Sequence, residues 1–207
     1  SASVVVLAAT ACVIWFNAAA LPYAAPLLVV WWLSPLLAKF LSRPLDLSAS
    51  NEALGTSTTR ELRSVARRTW RFFETFVTAE ENHLPPDNFQ ERPTPVVAHR
   101  SSPTNFGLYL LSCVAARDFG WLGLGDLAAR IAQTMDTLDR LPRFNGHFLN
   151  WYDTRTLLPL EPRYVSTVDS GNLAGHLLAV SAGLDGFVNA PLWTPATQLG
   201  PADSLRG

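Results

Sequence analysis

No charged side chain occurs between Ser1 and Ala38, and this feature constrains the fold of the chain more than any other. A helix needs about 20 apolar residues to cross a bilayer, so a segment of this length is long enough to cross it twice. Asn17 and Pro22 interrupt the apolar run near its middle. The sequence therefore predicts a tight hairpin of two transmembrane helices, 4–20 and 24–41. A buried helical hairpin in the core of a soluble protein is the alternative.

The residues directly after the apolar segment predict its orientation. Lys39 and Arg43 follow the second helix, and positively charged residues beside a membrane span favour the cytoplasmic side. We therefore expect the soluble part of the chain to be cytoplasmic. No basic stretch precedes the apolar run, so we do not expect a cleaved signal peptide.

We divide the chain into a transmembrane hairpin over 1–41, a polar linker over 42–56, a helical domain over 57–190 and an irregular tail over 191–207. The net charge of −1 gives no strong electrostatic attraction to nucleic acid, which we do not expect as a partner. Neither cysteine has the spacing of a metal ligand, and there is no phosphate-binding Gly-rich loop. We therefore expect no metal site and no cofactor in this segment.

Apolar residues at a period of 3.6 predict four helices in the soluble part. The first opens at a capping box, Thr58–Glu61, and the others cover 103–119, 126–140 and 170–184. Ser102 and Asp126 are the predicted N-caps of the second and third helices, and Asp169 or Ser170 that of the fourth. The first and third helices are amphipathic. The second and fourth are apolar nearly all round, as is typical of helices buried on every side.

An internal repeat relates the second and fourth helices. SPTNFGLYLL at 102–111 is similar to DSGNLAGHLL at 169–178, with a capping residue first, Asn at the fourth position and a pair of Leu at the end. Repeats indicate a solenoid or toroid, although two capped apolar helices can also resemble each other by chance. The predicted fold class is all-α: a transmembrane helical hairpin followed by part of an α/α toroid, with one short β-hairpin around 148–160.

Polar and aromatic side chains are densest between the third and fourth predicted helices and at the helix starts. Aromatic rings stack on the apolar faces of sugars, and Asn, Asp and His side chains hydrogen-bond to hydroxyl groups. Each residue also has a structural alternative, as a helix cap, a core aromatic or an interior histidine. The candidate sugar-binding residues are Asn105, His147, Asn150, Trp151, Tyr152, Asp153, Asp169 and Asn172.

Glycoside chemistry uses two carboxylates that flank the scissile bond. The candidates near the polar and aromatic residues are Asp153, Glu161 and Asp169. Sequence spacing does not pair any two of them, so the catalytic residues stay unknown. The segment around Ser170 lacks the glycine pattern of a serine-hydrolase nucleophile.

Four segments carry a resemblance to a known family: SPTNFGLYLLS at 102–112, AARDFG at 115–120, GHFLNWYDTR at 146–155 and YVSTVDSGNLAGH at 164–176. They resemble the glucoamylase-like region of the cyclic β-1,2-glucan synthases of the NdvB/ChvB type. The end of the apolar segment, around 33–44, is similar to the last membrane segments before that region. The likeness covers roughly residues 20–187.

The resemblance implies a very large enzyme of the bacterial inner membrane. Such an enzyme combines a glycosyltransferase that uses UDP-glucose, a glucoamylase-like α/α toroid that cyclises the glucan by transglycosylation, and a phosphorylase-like domain. The implied partners of this segment are a β-1,2-glucan oligosaccharide, membrane lipid and the remaining domains of the parent chain. Four soluble helices are far fewer than the twelve of a toroid. The resemblance therefore implies catalytic carboxylates outside this segment, and we expect the segment alone to be inactive.

Two other functional classes stay open at this point. One is a non-catalytic, membrane-anchored module for carbohydrate binding or assembly, which would retain a glucan without turnover. The other is a phosphorylase-type enzyme on a related toroid, which would release glucose 1-phosphate in the presence of phosphate.

Overall fold

The computed structural model describes residues 2–42, 55–191 and 193–204. Backbone contacts divide the chain into two units, Ser1–Ala53 and Leu54–Gly207. Most of the predicted linker, residues 43–54, lies outside the described residues.

The first unit is a helical hairpin. Helix α1 covers Ala2–Asn17, one 3₁₀ turn covers Ala18–Ala20 and helix α2 covers Leu21–Leu41. The two helices pack against each other and line an apolar cavity of about 410 Å³. The segment Val4–Leu41 has the length and composition of a membrane-spanning helix, with a mean hydropathy of 2.2. Only 6% of its most apolar window is buried, whereas a core helix of a soluble protein is mostly buried.

The second unit is mainly helical, and helix α4 lies at its centre. Its helices are α3 Thr56–Phe76, α4 Pro103–Asp118, α5 Leu124–Arg140, α6 Thr167–Val188 and α7 Pro195–Ser204. Helix α4 contacts α3, α5 and α6. Each of three buried clusters includes residues of α4. Tyr109 packs with residues of α3, Phe106 with residues of the loops and Leu110 with Val180 of α6. The prediction that this helix is buried on every side is confirmed in part, since Leu108 is 45% exposed. The same prediction for α6 was wrong, because α6 packs on α4 along one face and only Leu173 and Val180 are buried in it.

Three of the predicted helix starts were wrong by two or three residues. Helix α6 begins after Ser166, whose Oγ accepts a hydrogen bond from the Asp169 N–H at 3.1 Å, so Asp169 lies in the first turn. Asp126 likewise lies in the first turn of α5, which follows Gly123, and α3 follows Gly55. In each case a suitable residue a few positions upstream starts the helix, which leaves the predicted cap inside the first turn.

Six strands of two residues each form three small antiparallel sheets. Strand β1 (Phe89–Gln90) pairs with β2 (Val96–Val97), β3 (Arg100–Ser101) with β6 (Tyr152–Asp153), and β4 (Arg143–Phe144) with β5 (His147–Phe148). The predicted hairpin around 148–160 is present through the bridge between Tyr152 and Pro159. The expectation of a single hairpin was wrong, because strands of two residues are too short to show an alternating pattern.

The segment predicted as an irregular tail contains helix α7. Pro195 occupies its first position, where a missing N–H has no cost. Asp203 fixes the helix to the rest of the unit by accepting hydrogen bonds from Arg63 Nη2 at 2.6 Å and Trp121 Nε1 at 3.1 Å. Residues 192 and 205–207 of the predicted tail lie outside the described residues.

Candidate sugar-binding site

The starts of helices α4 and α6 lie side by side. The two helices run parallel, since Gly107 lies against His176 near one end and Val114 lies against Gly183 farther along. A Cβ atom at Gly107 would come within 2.5 Å of His176 Nδ1, so the glycine permits the close approach. The structure therefore brings Asn105 and the start of α6 to the same end of the helix pair, as the internal repeat predicts.

Hydrogen bonds join the two helix starts directly. Thr104 Oγ1 donates to Asp169 Oδ1 at 2.5 Å, and Asn172 Nδ2 donates to Thr104 Oγ1 at 3.1 Å. Asn105 Nδ2 lies 3.5 Å from Asp87 Oδ1, at the limit of a hydrogen bond. Amide, hydroxyl and carboxylate groups from three segments of the chain thus converge at this end.

Trp151 extends this group of polar side chains through Arg100. The Arg100 guanidinium lies over the Trp151 ring, 5.0 Å from its centroid, and donates to Asp87 Oδ2 from Nε at 3.2 Å and from Nη2 at 3.0 Å. Pairing of β3 with β6 places these residues together, because Arg100 lies opposite Asp153. We name the whole group the helix-start cluster: Asp87, Arg100, Thr104, Asn105, Trp151, Asp169 and Asn172.

Asp87, Arg100 and Thr104 are members that the sequence analysis missed. Asp87 follows a buried Pro-Pro pair in a loop without periodicity, and Arg100 reaches Trp151 only through a strand pairing between distant segments. Thr104 had a usable signal, because it precedes a candidate asparagine in the internal repeat.

Three other candidate residues lie apart from this cluster. Tyr152 is fully buried, and its hydroxyl accepts from the Leu149 N–H at 2.7 Å and donates to the Pro142 carbonyl at 2.8 Å. Asn150 is buried and its Oδ1 accepts from the Tyr164 N–H at 3.3 Å. His147 is exposed on strand β5. Tyr152 and Asn150 therefore fix the loop beneath Trp151, and the role of all three as sugar ligands stays a prediction.

Asp153 organises the turn of the hairpin. Its Oδ1 accepts hydrogen bonds from the Arg155 N–H at 2.9 Å and from the N–H and hydroxyl groups of Thr156 at 2.8 and 3.0 Å. Partial burial alone would raise the pKa of Asp153, but the bonds from Thr156 and Arg155 outweigh it and hold the pKa below its ordinary value. Asp153 is therefore a carboxylate at neutral pH. Its role as a sugar ligand stays a prediction.

A buried carboxylate that the sequence analysis missed supports the hairpin from the inside. Glu81 is 7% exposed; its Oε1 lies 2.7 Å from His99 Nδ1 and its Oε2 accepts a short hydrogen bond from Thr154 Oγ1. Glu161, the remaining predicted carboxylate, is exposed and pairs with Arg163 at 2.8 Å. Among the described residues, no group of three His, Cys, Asp or Glu side chains could hold a metal ion.

Similar proteins agree with the predicted resemblance. No protein-family model matches the chain. The chain is 54% identical over 170 residues, 80% of its length, to the cyclic β-(1,2)-glucan synthase NdvB of Rhizobium meliloti, and it spans 6% of that protein. The crystal structure of a candidate glucoamylase from Bacteroides fragilis aligns with 75% of this chain, and the alignment covers 37% of the glucoamylase chain. The TM-score is 0.51 and the two sequences are 18% identical.

The two similarities establish different things. At 18% identity the Bacteroides structure shows the fold alone, and it confirms the mainly helical, glucoamylase-like fold. The Rhizobium protein confirms the resemblance in sequence, because the identity extends over most of the chain. The chain is therefore similar to one part of a cyclic β-(1,2)-glucan synthase and has a glucoamylase-like fold.

Proposed function

We propose that this chain is part of a membrane-bound cyclic β-1,2-glucan synthase and that it contributes glucan-binding residues to the domain that cyclises the glucan by transglycosylation. The observation that carries this proposal is the 54% identity to NdvB over 80% of the chain. The matched region includes only 6% of NdvB, so the proposed enzyme has further domains. We propose, from the resemblance alone, that one of them uses UDP-glucose as donor.

The helix-start cluster supports sugar as the ligand of this part. Trp151 offers an aromatic ring that is partly exposed, and the neighbouring side chains offer both donors and acceptors of hydrogen bonds. Pyranose rings combine an apolar face with hydroxyl groups that both donate and accept, so they suit such a surface.

We assign no catalytic role to the residues of this chain. Transglycosylation by a retaining mechanism needs two carboxyl groups about 5–5.5 Å apart. The carboxylates near Trp151 are already engaged, Asp87 with Arg100, Asp169 with Thr104 and Asp153 with its own turn. From the resemblance, we propose that the catalytic pair belongs to parts of the parent enzyme beyond these residues.

Binding of β-1,2-glucan by Trp151→Ala tests the sugar-binding role. The 207-residue chain is purified in detergent, and the affinity for a linear β-1,2-glucooligosaccharide is measured by calorimetry. Loss of a stacking ring is expected to cost about 1–3 kcal/mol, roughly a 5–150-fold weaker affinity. Trp193→Ala is the matched control, because Trp193 is 82% exposed and lies outside the cluster.

The outcomes separate the functional classes. Equal affinity of the two variants, both folded, would exclude the helix-start cluster as the sugar site. Glucan cyclisation by the full-length enzyme that falls with Trp151→Ala would support the synthase, whereas binding without any turnover would favour a carbohydrate-binding module. Phosphate-dependent release of glucose 1-phosphate would point to a phosphorylase.

We further propose that residues 4–41 cross the bacterial inner membrane and that the domain after them is cytoplasmic. The apolar hairpin and the basic residues Lys39 and Arg43 support this orientation. Protease added to intact spheroplasts should leave the domain uncut, and protease added after lysis should cleave it. Cleavage in intact spheroplasts would place the domain on the periplasmic side.

A further inference from the structure

A second cavity, of about 550 Å³, lies among residues of α3, α5 and the loop between α3 and β1. It shares no lining residue with the helix-start cluster, and its volume lies within the range of small-molecule sites. Its wall is mainly polar and includes Glu74, His83, Arg130 and Gln133. Trp121 also lines it, although Phe119 stacks on the Trp121 ring and the Arg67 guanidinium lies over it. We name it the Arg130 pocket.

Arg130 is held in a fixed position inside the unit. Its Nη1 donates to the hydroxyl of the buried Tyr109 at 3.1 Å, and its guanidinium lies over the Trp70 ring, 5.6 Å from the centroid. Burial raises the pKa of Tyr109 well above its usual range, so a neutral hydroxyl group faces the guanidinium. A side chain held in this way needs little reordering when it binds a ligand.

The loop that carries His83 is also fixed, and in an uncommon backbone conformation. Asn82 and His83 have φ angles of 50° and 58°. Helix α5 holds both residues, since Thr137 Oγ1 donates to the Asn82 carbonyl at 2.8 Å and Thr134 Oγ1 to the His83 carbonyl at 3.0 Å. Two successive left-handed residues persist only where the surrounding structure fixes them, and such residues concentrate at functional sites.

The charges around the pocket indicate the class of ligand. Asp126, Arg130 and Gln133 recur at i, i+4 and i+7 on one face of α5, and Glu74 faces them from α3. The carboxylates of Glu74 and Asp126 disfavour an anion, while the Arg130 guanidinium disfavours a cation. A neutral ligand with several hydroxyl groups can use these donors and acceptors together.

We propose that the Arg130 pocket is a second sugar-binding site, which takes one neutral pyranose unit of a saccharide. The choice of β-1,2-linked glucose as that saccharide rests on the proposed function, whereas the site itself rests on the geometry of the pocket. A chain that reaches both sites would be held at two points, which raises its overall affinity through effective concentration.

The indole N–H signals of Trp121 and Trp151 in a ¹⁵N-labelled chain report the two sites separately. The probe is the β-1,2-linked glucose disaccharide, added to the 207-residue chain in detergent. A saturable shift of the Trp121 signal is expected. Asp126→Asn, at an exposed position of α5, should weaken the Trp121 response about tenfold, as for the loss of one hydrogen bond to a charged group. Gln133→Ala, also exposed, should weaken it by less, because a neutral hydrogen bond contributes less. Both variants should leave the Trp151 response unchanged.

Asp136→Asn is the matched control, because Asp136 is an exposed residue of α5 that does not line the pocket. A Trp151 shift without a Trp121 shift would overturn this inference and leave the proposed function intact. A Trp121 shift without a Trp151 shift would support the pocket and contradict the helix-start cluster. A Trp121 shift with sodium phosphate but not with the disaccharide would also overturn the inference, since it would identify an anion site.

Discussion

Helices α4 and α6 start with similar sequences, run parallel and yet have different surroundings. Helix α4 is covered by α3, α5 and α6, so that Phe106 and Leu110 are fully buried. Among the described residues of α6, only Leu173 and Val180 are buried, on the face toward α4. Three of its other apolar side chains, Val168, Leu178 and Val188, are 70–77% exposed.

The difference shows what an all-round apolar pattern does and does not predict. It indicates that each face of a helix is suited to burial, and in α4 most faces have a partner, although Leu108 is 45% exposed. In α6 the same pattern leaves an exposed apolar face, a feature that commonly marks an interaction surface. Under the proposed function, further helices of the glucan-cyclising domain are the expected partners of that face.

The largest expected effect is for Leu110→Ala in α4. Leu110 is fully buried and packs with Val114 and Val180 between the two helices. Truncation should lower the free energy of unfolding by about 2–5 kcal/mol, because it removes apolar contacts and leaves a cavity. Chemical denaturation, monitored by circular dichroism, measures this change in unfolding free energy. A loss below about 1 kcal/mol would mean that α4 is not the packed centre of the unit.

The second effect concerns the close contact of the helices at Gly107. Gly107→Ala places a methyl group 2.5 Å from His176 Nδ1 and 2.8 Å from His176 Cβ, so the helices must move apart. Overpacking of this kind costs about 1–3 kcal/mol. Gly175→Ala is the control: its Cβ atom would meet nothing within 4 Å, and alanine should stabilise α6 by about 0.5–1 kcal/mol. Equal effects of the two variants in thermal unfolding would show that the contact does not constrain the helices.

Much of the helix pair could be predicted from the sequence. Ser102 and Pro103 predicted the start of α4, because capping and proline chemistry depend on a few adjacent residues. The start of α6 was predicted three residues too late, with Asp169 or Ser170 as its cap, because Ser166 and Asp169 are both residues that cap helices well and only the structure shows that Ser166 Oγ accepts the hydrogen bond.

The site was less predictable because it depends on contacts between distant segments. Asp87 and Arg100 join Trp151 through the pairing of β3 with β6, and strands of two residues leave no pattern in a sequence. Alternation along a strand places neighbouring side chains such as Trp151 and Tyr152 on opposite sides. It could not predict which aromatic ring is buried, because both are large enough to fill a core and to bind a sugar.

A third prediction tests the caps that the two helices share. Ser102 Oγ accepts from the Asn105 N–H at 3.4 Å, and Ser166 Oγ accepts from the Asp169 N–H at 3.1 Å. Ser166→Ala should lower stability by about 1 kcal/mol, and Ser102→Ala by less, because its hydrogen bond is longer. Urea denaturation of the two variants gives the comparison. The reverse order would indicate that burial of Ser102, rather than the cap, determines its contribution.

The smallest expected effect is for Leu178→Lys on the exposed face of α6. Leu178 is 75% exposed, so lysine should change the free energy of unfolding by no more than about 0.5 kcal/mol in this chain. Leu177→Lys is the control, because its neighbour Leu177 packs against the buried clusters and a charge there should be strongly destabilising.

A large effect of Leu178→Lys would contradict the comparison, since it would mean that the outer face of α6 is already covered. Sedimentation of the unsubstituted chain at several concentrations would then show whether a second copy covers it. The same substitution in a full-length synthase sharpens the argument. If further helices pack on this face in the full-length synthase, Leu178→Lys should be strongly destabilising in that protein but close to neutral in the 207-residue chain. The difference between the two changes in unfolding free energy therefore measures the burial that the longer protein adds to α6.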